Sequence, residues 1–226
     1  MNCKHFSIFS KIFLVLLFSS LFFISCSDSS PHVSSLHKTF VYEFSSEEEK
    51  AQVKLSVFIS TSQDVRRSKS IEILHPETNF VWKIENPQIY EENKNTYLGY
   101  SALTVPANFD FPEGLFQLTY FDVADRSTKE NFEINLLKSM ADKEDGFVKA
   151  EDVRSGKAGT ECTQKKIIIF DEIGKELFFG FYSTLLNTDE KILNLFPDAV
   201  TKQIYYSNSN NSDVIILPKE TIKTNK

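Results

Sequence analysis

Glycine, proline, histidine, cysteine and tryptophan are all scarce in this chain, and each scarcity removes a class of protein. Seven glycines and seven prolines in 226 residues are too few for collagen-like, low-complexity or repeat-rich sequence. Bases are outnumbered as well: 25 Lys and Arg against 31 Asp and Glu give a net charge of −6. That balance argues against a nucleic-acid partner, because no broad face would neutralise phosphates. Four histidines and three cysteines narrow metal and nucleophilic chemistry before any fold is considered. What is left is ordinary globular composition, 41% hydrophobic, 25% charged and 13% aromatic, enough for one domain of about 200 residues or two of about 100.

Residues 1–25 read as a signal peptide. Lys4 and Lys11 precede an apolar run from Ile12 to Ile24; as a helix, Ile12–Ser25 would measure about 21 Å against a hydrocarbon core of ~30 Å, short for a stable span. The run ends at Phe23-Ile24-Ser25-Cys26, followed by the polar Ser27-Asp28-Ser29-Ser30-Pro31. This resembles the lipobox of bacterial lipoproteins, and Phe23 three residues before the cysteine resembles the relaxed, spirochaete-like form. The resemblance implies that Cys26 carries diacylglycerol and, once the signal is cut, becomes the first residue. Two or more acyl chains anchor firmly without a spanning helix, so the expected place is the bacterial cell envelope, on the inner or the outer membrane. A secretory signal cut elsewhere or an uncleaved anchor is the alternative reading. Without residues 1–25 the chain holds 23 bases and 31 acids, a net charge of −8, so the body should not lie flat on anionic headgroups. With Cys3 removed and Cys26 on lipid, Cys162 is left alone and no intrachain disulfide can form.

The remainder divides by pattern. Residues 26–36 read as a lipidated tether, 37–138 as a β-sandwich domain, 139–166 as a charged linker, 167–218 as a small α+β unit and 219–226 as a polar tail. Alternation of period two places Phe40, Tyr42 and Phe44 on one face of a strand, and Val53, Leu55, Val57 and Ile59 on one face of the next. The Glu47-Glu48-Glu49-Lys50 run between them reads as a solvated turn. Further strands are expected at 70–74, 80–85, 97–105, 115–123 and 131–136, each bounded by Pro, Asn, Asp or Gly. Seven short strands in about 100 residues, with no βαβ rhythm, suit a mainly β fold of antiparallel sandwich type. The stretch Phe111-Pro112-Glu113-Gly114-Leu115-Phe116-Gln117-Leu118 resembles the approach to the penultimate strand of bacterial immunoglobulin-like domains, with Phe116 where the tyrosine usually stands. The resemblance implies an immunoglobulin-like or fibronectin-like architecture and no particular activity. Beyond the linker, 167–170 and 176–182 read as a hairpin, Thr188 as the cap of a short helix stopped by Pro197, and 203–207 with 213–217 as a second hairpin.

Chemistry is thinly supplied. His32, His37, His75 and Cys162 are scattered over tether and turns without zinc spacing, so no metal is expected. Asp145–Asp152 resembles the second half of an EF-hand loop, but Ala141 and Lys143 stand where the first oxygen ligands belong. Ser155-Gly156-Lys157-Ala158-Gly159-Thr160 has the composition of a phosphate loop in the wrong order, and no Gly-x-Ser-x-Gly elbow occurs. The aromatics are the remaining resource. On Leu177–Tyr182 both faces are apolar, so burial between layers is expected, with a partner surface as the alternative. These features point to a non-enzymatic, membrane-anchored envelope lipoprotein with a protein-binding or structural role and no cofactor. A second reading is a small-ligand or carbohydrate-binding module using Trp82 or exposed tyrosines as a stacking platform. The third is a hydrolase with an unrecognised carboxylate site.

Overall fold

The structure, a computed structural model, describes residues 30–107, 109–141 and 146–223. The signal peptide, Cys26, the first residues of the tether, the Asp145 end of the EF-hand-like loop and the last three residues of the tail lie outside the described residues. The fold is mainly β and is built from two sheets. Its strands are β1 Val33–Glu43, β2 Gln52–Thr61, β3 Ser68–His75, β4 Phe80–Ile84, β5 Gln88–Glu92, β6 Asn95–Leu103, β7 Gly114–Asp122, β8 Ser127–Ile134, β9 Gln164–Phe170, β10 Glu176–Phe181, β11 Thr201–Ser207, β12 Asp213–Ile216 and β13 Glu220–Thr221. Two helices, α1 Ala150–Arg154 and α2 Asp189–Leu195, complete the set with two single 3-10 turns. No helix among the described residues is long and apolar enough to cross a membrane.

The smaller sheet has the order β4-β3-β7-β8, all antiparallel. The larger runs β10-β9-β11-β12-β1-β2-β6-β5, with β13 added to β11. Its pairs are antiparallel except one: β12 lies parallel to β1, with Phe40 opposite Asp213 and Tyr42 opposite Ile215. The amides of Phe40 and Phe44 donate to the carbonyls of Ser212 and Ile216, at 2.8 and 3.0 Å.

The alternation read from sequence sets the core. Phe40, Tyr42, Leu55, Val57 and Ile59 of the larger sheet and Ile71, Ile73, Phe116, Leu118 and Tyr120 of the smaller are buried in one hydrophobic cluster. Each such side chain contributes roughly 1.5–3 kcal/mol on leaving water. Phe111 links the layers, its ring 5.9 Å from Phe40 and 5.5 Å from Trp82. Phe116, with no hydroxyl to satisfy, stacks between Trp82 and Phe132 at 5.8 and 5.7 Å. The Tyr42 hydroxyl accepts from the Leu137 amide at 2.7 Å, and burial pushes its pKa well above the usual phenol value.

Several boundaries differ from expectation. Sheet begins at Val33, which is buried and pairs with Thr61, so Val33–Leu36 belongs to β1 and not to the tether. The charged stretch 139–166 is packed: Met140, Val148, Ala150, Val153, Ala158 and Cys162 are all buried. Two of its acids are engaged, too. Asp152 Oδ2 accepts from the Lys149 amide at 3.1 Å, and Arg154 bridges Glu151, Glu47 and Glu220. The Glu47–Lys50 turn is therefore a docking point for α1 as well as a solvated bend, with Glu48 paired to Lys149. In the tail, Glu220–Thr221 pairs with β11 and Ile222 is buried. The capped helix forms as read, Thr188 Oγ1 accepting from the Lys191 amide at 3.3 Å, with Asp189 and Glu190 in the first turn.

Two positions are most constrained. At Gly99, where β6 crosses β2, a Cβ would stand 2.0 Å from the Val57 carbonyl oxygen and 2.7 Å from the Phe58 Cα. Both obstacles are backbone and cannot rotate away. Gly99→Ala should therefore cost at least about 1–3 kcal/mol of unfolding free energy, seen as a lower midpoint in urea; an unchanged midpoint would show that the two strands are not so close. The second position is Asp122, a fully buried carboxylate. Its Oδ1 accepts from the amides of Ala124 and Arg126 at 2.9 and 3.0 Å, and its Oδ2 from Arg126 Nε and Nη2 at 2.9 and 2.6 Å. Burial alone would raise its pKa, but these bonds outweigh it and hold the carboxyl below its usual value. The stabilisation is then present above the unfolded pKa of about 3.9 and fades as pH falls toward the folded one. The stability gap between wild type and Asp122→Asn should be widest at neutral pH and shrink below about pH 4; a gap independent of pH would contradict this assignment.

Candidate functional site

In the larger sheet, strand alternation separates two faces. Leu36, Lys38, Phe40 and Tyr42 of β1 share the inner face with Val53, Leu55, Val57 and Ile59 of β2. His37, Thr39 and Val41 share the outer face with Phe58 and Ser56. Following the register outward, Tyr97 of β6 and Tyr90 of β5 sit directly opposite each other, while at the other end Tyr205, Lys166 and Phe181 stand in register across β11, β9 and β10. The smaller sheet lies against the inner face, whose Phe40, Tyr42, Leu55, Val57 and Ile59 join its residues in one buried cluster.

Two features occupy the outer face. The first is a groove of about 990 Å³ over β1, β2, β6 and β5, bounded by β5 on one side and by the β11–β12 loop, Asn208–Ser212, on the other. Its apolar lining is aromatic: His37 meets Tyr97 edge-on at 5.3 Å and 88°, and Phe58 lies tilted to Tyr90 at 6.3 Å. Its polar lining is mostly amide and hydroxyl, from Gln88, Ser101, Asn210, Asn211 and Ser212. The loop wall is braced internally, since Asn208 Nδ2 donates to Ser212 Oγ and to Asp213 Oδ2, both at 2.8 Å, and Ser212 Oγ donates to the same carboxylate at 2.7 Å.

The second is an apolar patch on β10, an edge strand. Phe179 and Phe181 are 53% and 65% exposed and Ile173, in the preceding turn, is 87% exposed. Phe179 stacks on Tyr205 at 5.4 Å, and Lys166 Nζ stands 5.5 and 5.6 Å from the rings of Phe181 and Tyr205. The hairpin is thus buried on one side only: Phe178 packs on Phe196 at 5.5 Å, while the phenylalanines of the other side face solvent. Lys166 joins the two features, because its Nζ also donates to Asn211 Oδ1 at 3.1 Å.

The other reactive side chains have structural roles. Cys162 is buried, its Sγ donates to the Asp213 carbonyl at 3.5 Å, and burial pushes the thiol up to about 11, so at neutral pH it is protonated and a poor nucleophile. His75 is buried with Nδ1 2.8 Å from Thr78 Oγ1 and its ring 4.7 Å from Phe116. Lys165 lies 4.0 Å over the Tyr182 ring, and burial together with nearby Arg154 lowers its pKa. Lys202, between Asp189 and Glu220, is raised: burial alone would lower it, and the two carboxylates win. Among the described residues, no three His, Cys, Asp or Glu side chains gather as a metal site would need.

Trp82 does not serve as a stacking platform. It is 8% exposed, packed between Phe80, Phe111 and Phe116, and its indole N–H donates to the Thr104 carbonyl at 2.7 Å. The tyrosines do better, Tyr90 and Tyr100 being 54% and 38% exposed. Of the groove residues, Tyr90, Gln88 and the Asn210–Ser212 wall carry no motif. Phe58 does give a signal, as the one aromatic on the polar side of β2, after Gln52, Lys54 and Ser56. No protein-family model matches the chain, and no curated protein sequence is significantly similar to it. As the only tryptophan, Trp82 reports the core directly. Its emission should be blue-shifted and resist acrylamide until the chain unfolds; ready quenching in the native state would put the indole at the surface.

Proposed function

We propose that this chain is a non-enzymatic lipoprotein of the bacterial cell envelope, anchored to the inner or outer membrane through acylated Cys26, that acts by binding another envelope protein. The observation that carries this reading is the uncovered end of the larger sheet: an edge strand with a free hydrogen-bonding side and two exposed phenylalanines. Monomeric proteins usually protect such edges, and a contiguous apolar patch beside a free edge is a characteristic docking surface. The anchor fits this role sterically. From Cys26 to Val33 the chain can reach at most about 25 Å, and the net charge of −8 on the residues that follow the signal keeps the body off anionic headgroups. The sheet face is then held near the membrane, where a second envelope protein can meet it. A second reading, a small-ligand or carbohydrate-binding module, is favoured by a different observation, the aromatic groove at the other end of the same face.

Mass spectrometry of the protein extracted from native membranes should find a mature N-terminus at acylated Cys26, and Cys26→Ser should release the chain from the membrane. In-cell crosslinking should capture one reproducible envelope partner, lost in a Phe179→Ser, Phe181→Ser double variant whose Trp82 emission is unchanged. A soluble chain cut elsewhere would overturn the anchor, and crosslinks indifferent to the double variant would overturn the partner surface.

A further inference from the structure

We infer that the groove over β1, β2, β6 and β5 is a binding site for a neutral saccharide chain. This deepens the carbohydrate reading given above, and rests on it, while using none of the residues of the β10 patch. Three properties of the lining converge on that ligand class.

The aromatic rings are not consumed by one another. His37 and Tyr97 meet edge to face, and Phe58 and Tyr90 are inclined at 60°, so their faces are not sandwiched together and Tyr90 remains more than half exposed. A pyranose offers such rings an apolar face of C–H bonds that leaves water on contact.

The polar groups offer both donors and acceptors, for the Thr39 and Ser101 hydroxyls already donate, to the Asn211 carbonyl and to Gln88 Oε1, and present acceptor oxygens. Gln88 Oε1 already accepts from the Ser101 amide and hydroxyl at 3.2 and 3.0 Å. Asn210 Oδ1 accepts from the Ser212 amide at 3.2 Å, and Asn211 Oδ1 from Lys166 at 3.1 Å. Gln88 is left with its NH2 group to offer, while Asn210 and Asn211 keep theirs and one acceptor lone pair each. The complement is a ligand dense in hydroxyls, each of which can accept from an amide NH2 and donate to an oxygen of the lining.

Charge then selects among such ligands. The charged residues lining the groove are Glu92 and Lys38, and the Lys38 ammonium donates to the Glu133 carbonyl in the other sheet. Lys38 stands on the inner face and turns its ammonium to the other sheet, so a phosphorylated or acidic ligand meets Glu92 and a neutral one is favoured. A volume near 990 Å³ accommodates several sugar rings and lies at the upper end of small-ligand sites. The braced Asn208–Asp213 loop means that little ordering accompanies binding.

Isothermal titration of the full chain, extracted from membranes in detergent, with chitotetraose and with cellotetraose tests this. Saturable binding of at least one of the two is expected; the N-acetylated chain should prevail if the amide donors seek carbonyls, and the plain glucan if ring stacking dominates. Tyr90→Ala, at a position more than half exposed and with Trp82 emission checked for an intact fold, should weaken binding by at least tenfold, and Gln88→Ala and Asn210→Ala should weaken it further in combination. Crosslinking of the β10 partner should persist in all three, which separates failure of the groove from failure of the protein-binding reading. Absence of binding to both sugars at 10 mM (a ceiling set by about 3 kcal/mol of affinity), or binding unchanged in Tyr90→Ala, would overturn the inference. So would an extended peptide that binds along the β5 edge and displaces the sugar only by strand pairing, which would assign the groove to a protein ligand.

Discussion

The parallel pairing of β12 with β1 is the constraint on which the rest of this structure depends. Parallel strands need a crossover connection, and here the connection is almost the whole molecule, from Phe44 round to Ser212. Every strand of the smaller sheet, both helices and the packed charged stretch lie inside that one excursion. Closing it joins a four-strand set, β5, β6, β2 and β1, to a second built by the C-terminal hairpins. Loop-closure entropy grows only slowly with length, so so distant a pairing is thermodynamically tolerable. Kinetically it is the costly step, because such long-range contacts are rewarded last. The same pairing places the Asn208–Ser212 loop beside Thr39, whose hydroxyl donates to the Asn211 carbonyl at 3.1 Å. The groove therefore has its second wall only because the sheet is closed.

Ionic contacts are numerous around this junction, but magnitudes assign them a positioning role. Arg154 spans Glu47, Glu151 and Glu220, and Lys202 spans Asp189 and Glu220. All are partly solvated, and such pairs are worth roughly 0–1 kcal/mol each. Burying Val153, Ile192 or Ile222 contributes about 1.5–3 kcal/mol apiece. The apolar contacts hold α1, α2 and β13 on the sheet; the charges fix which way they sit. Arg154 in particular ties together three segments distant in sequence, the β1–β2 turn, α1 and β13, through a guanidinium whose fork suits several carboxylates at once.

The sequence was most legible where alternation is local and one face is buried. Val53, Leu55, Val57 and Ile59 announce β2 and its inner face; in the structure Trp82 and Ile84 follow the same rule, although the sequence alone leaves the indole open as a stacking platform. β5 escaped because it is exposed along its whole length, so Gln88-Ile89-Tyr90-Glu91-Glu92 has no hydrophobic period to betray it. α1 escaped because five residues within a run of charges are too few to show a helical repeat, and its anchoring residues, Ala150 and Val153, amount to a single turn. The join between β1 and β12 was beyond reach for a different reason: strand patterns encode which face is apolar, not which distant strand lies alongside. The groove inherits the first and last of these difficulties, drawing its lining from visible strands, an invisible one and a loop located only by a non-local pairing.

The asymmetry of the larger sheet is what makes a binding role the economical reading. An antiparallel sheet can leave one face to water, and then alternation normally makes that face polar. Here the inner positions are apolar as the core demands, yet the outer row keeps Tyr90, Tyr97, Phe58, Tyr205, Phe179 and Phe181 where a solvated sheet would carry Lys, Thr or Glu. Aromatic pairs across strands give only about 0.2–1 kcal/mol each, too little to explain so many rings by stability alone, and at the β10 edge they carry an aggregation hazard that selection for stability would remove. Lys166 sits at the midpoint, holding Asn211 of the groove wall with its ammonium while that same charge faces the rings of Phe181 and Tyr205.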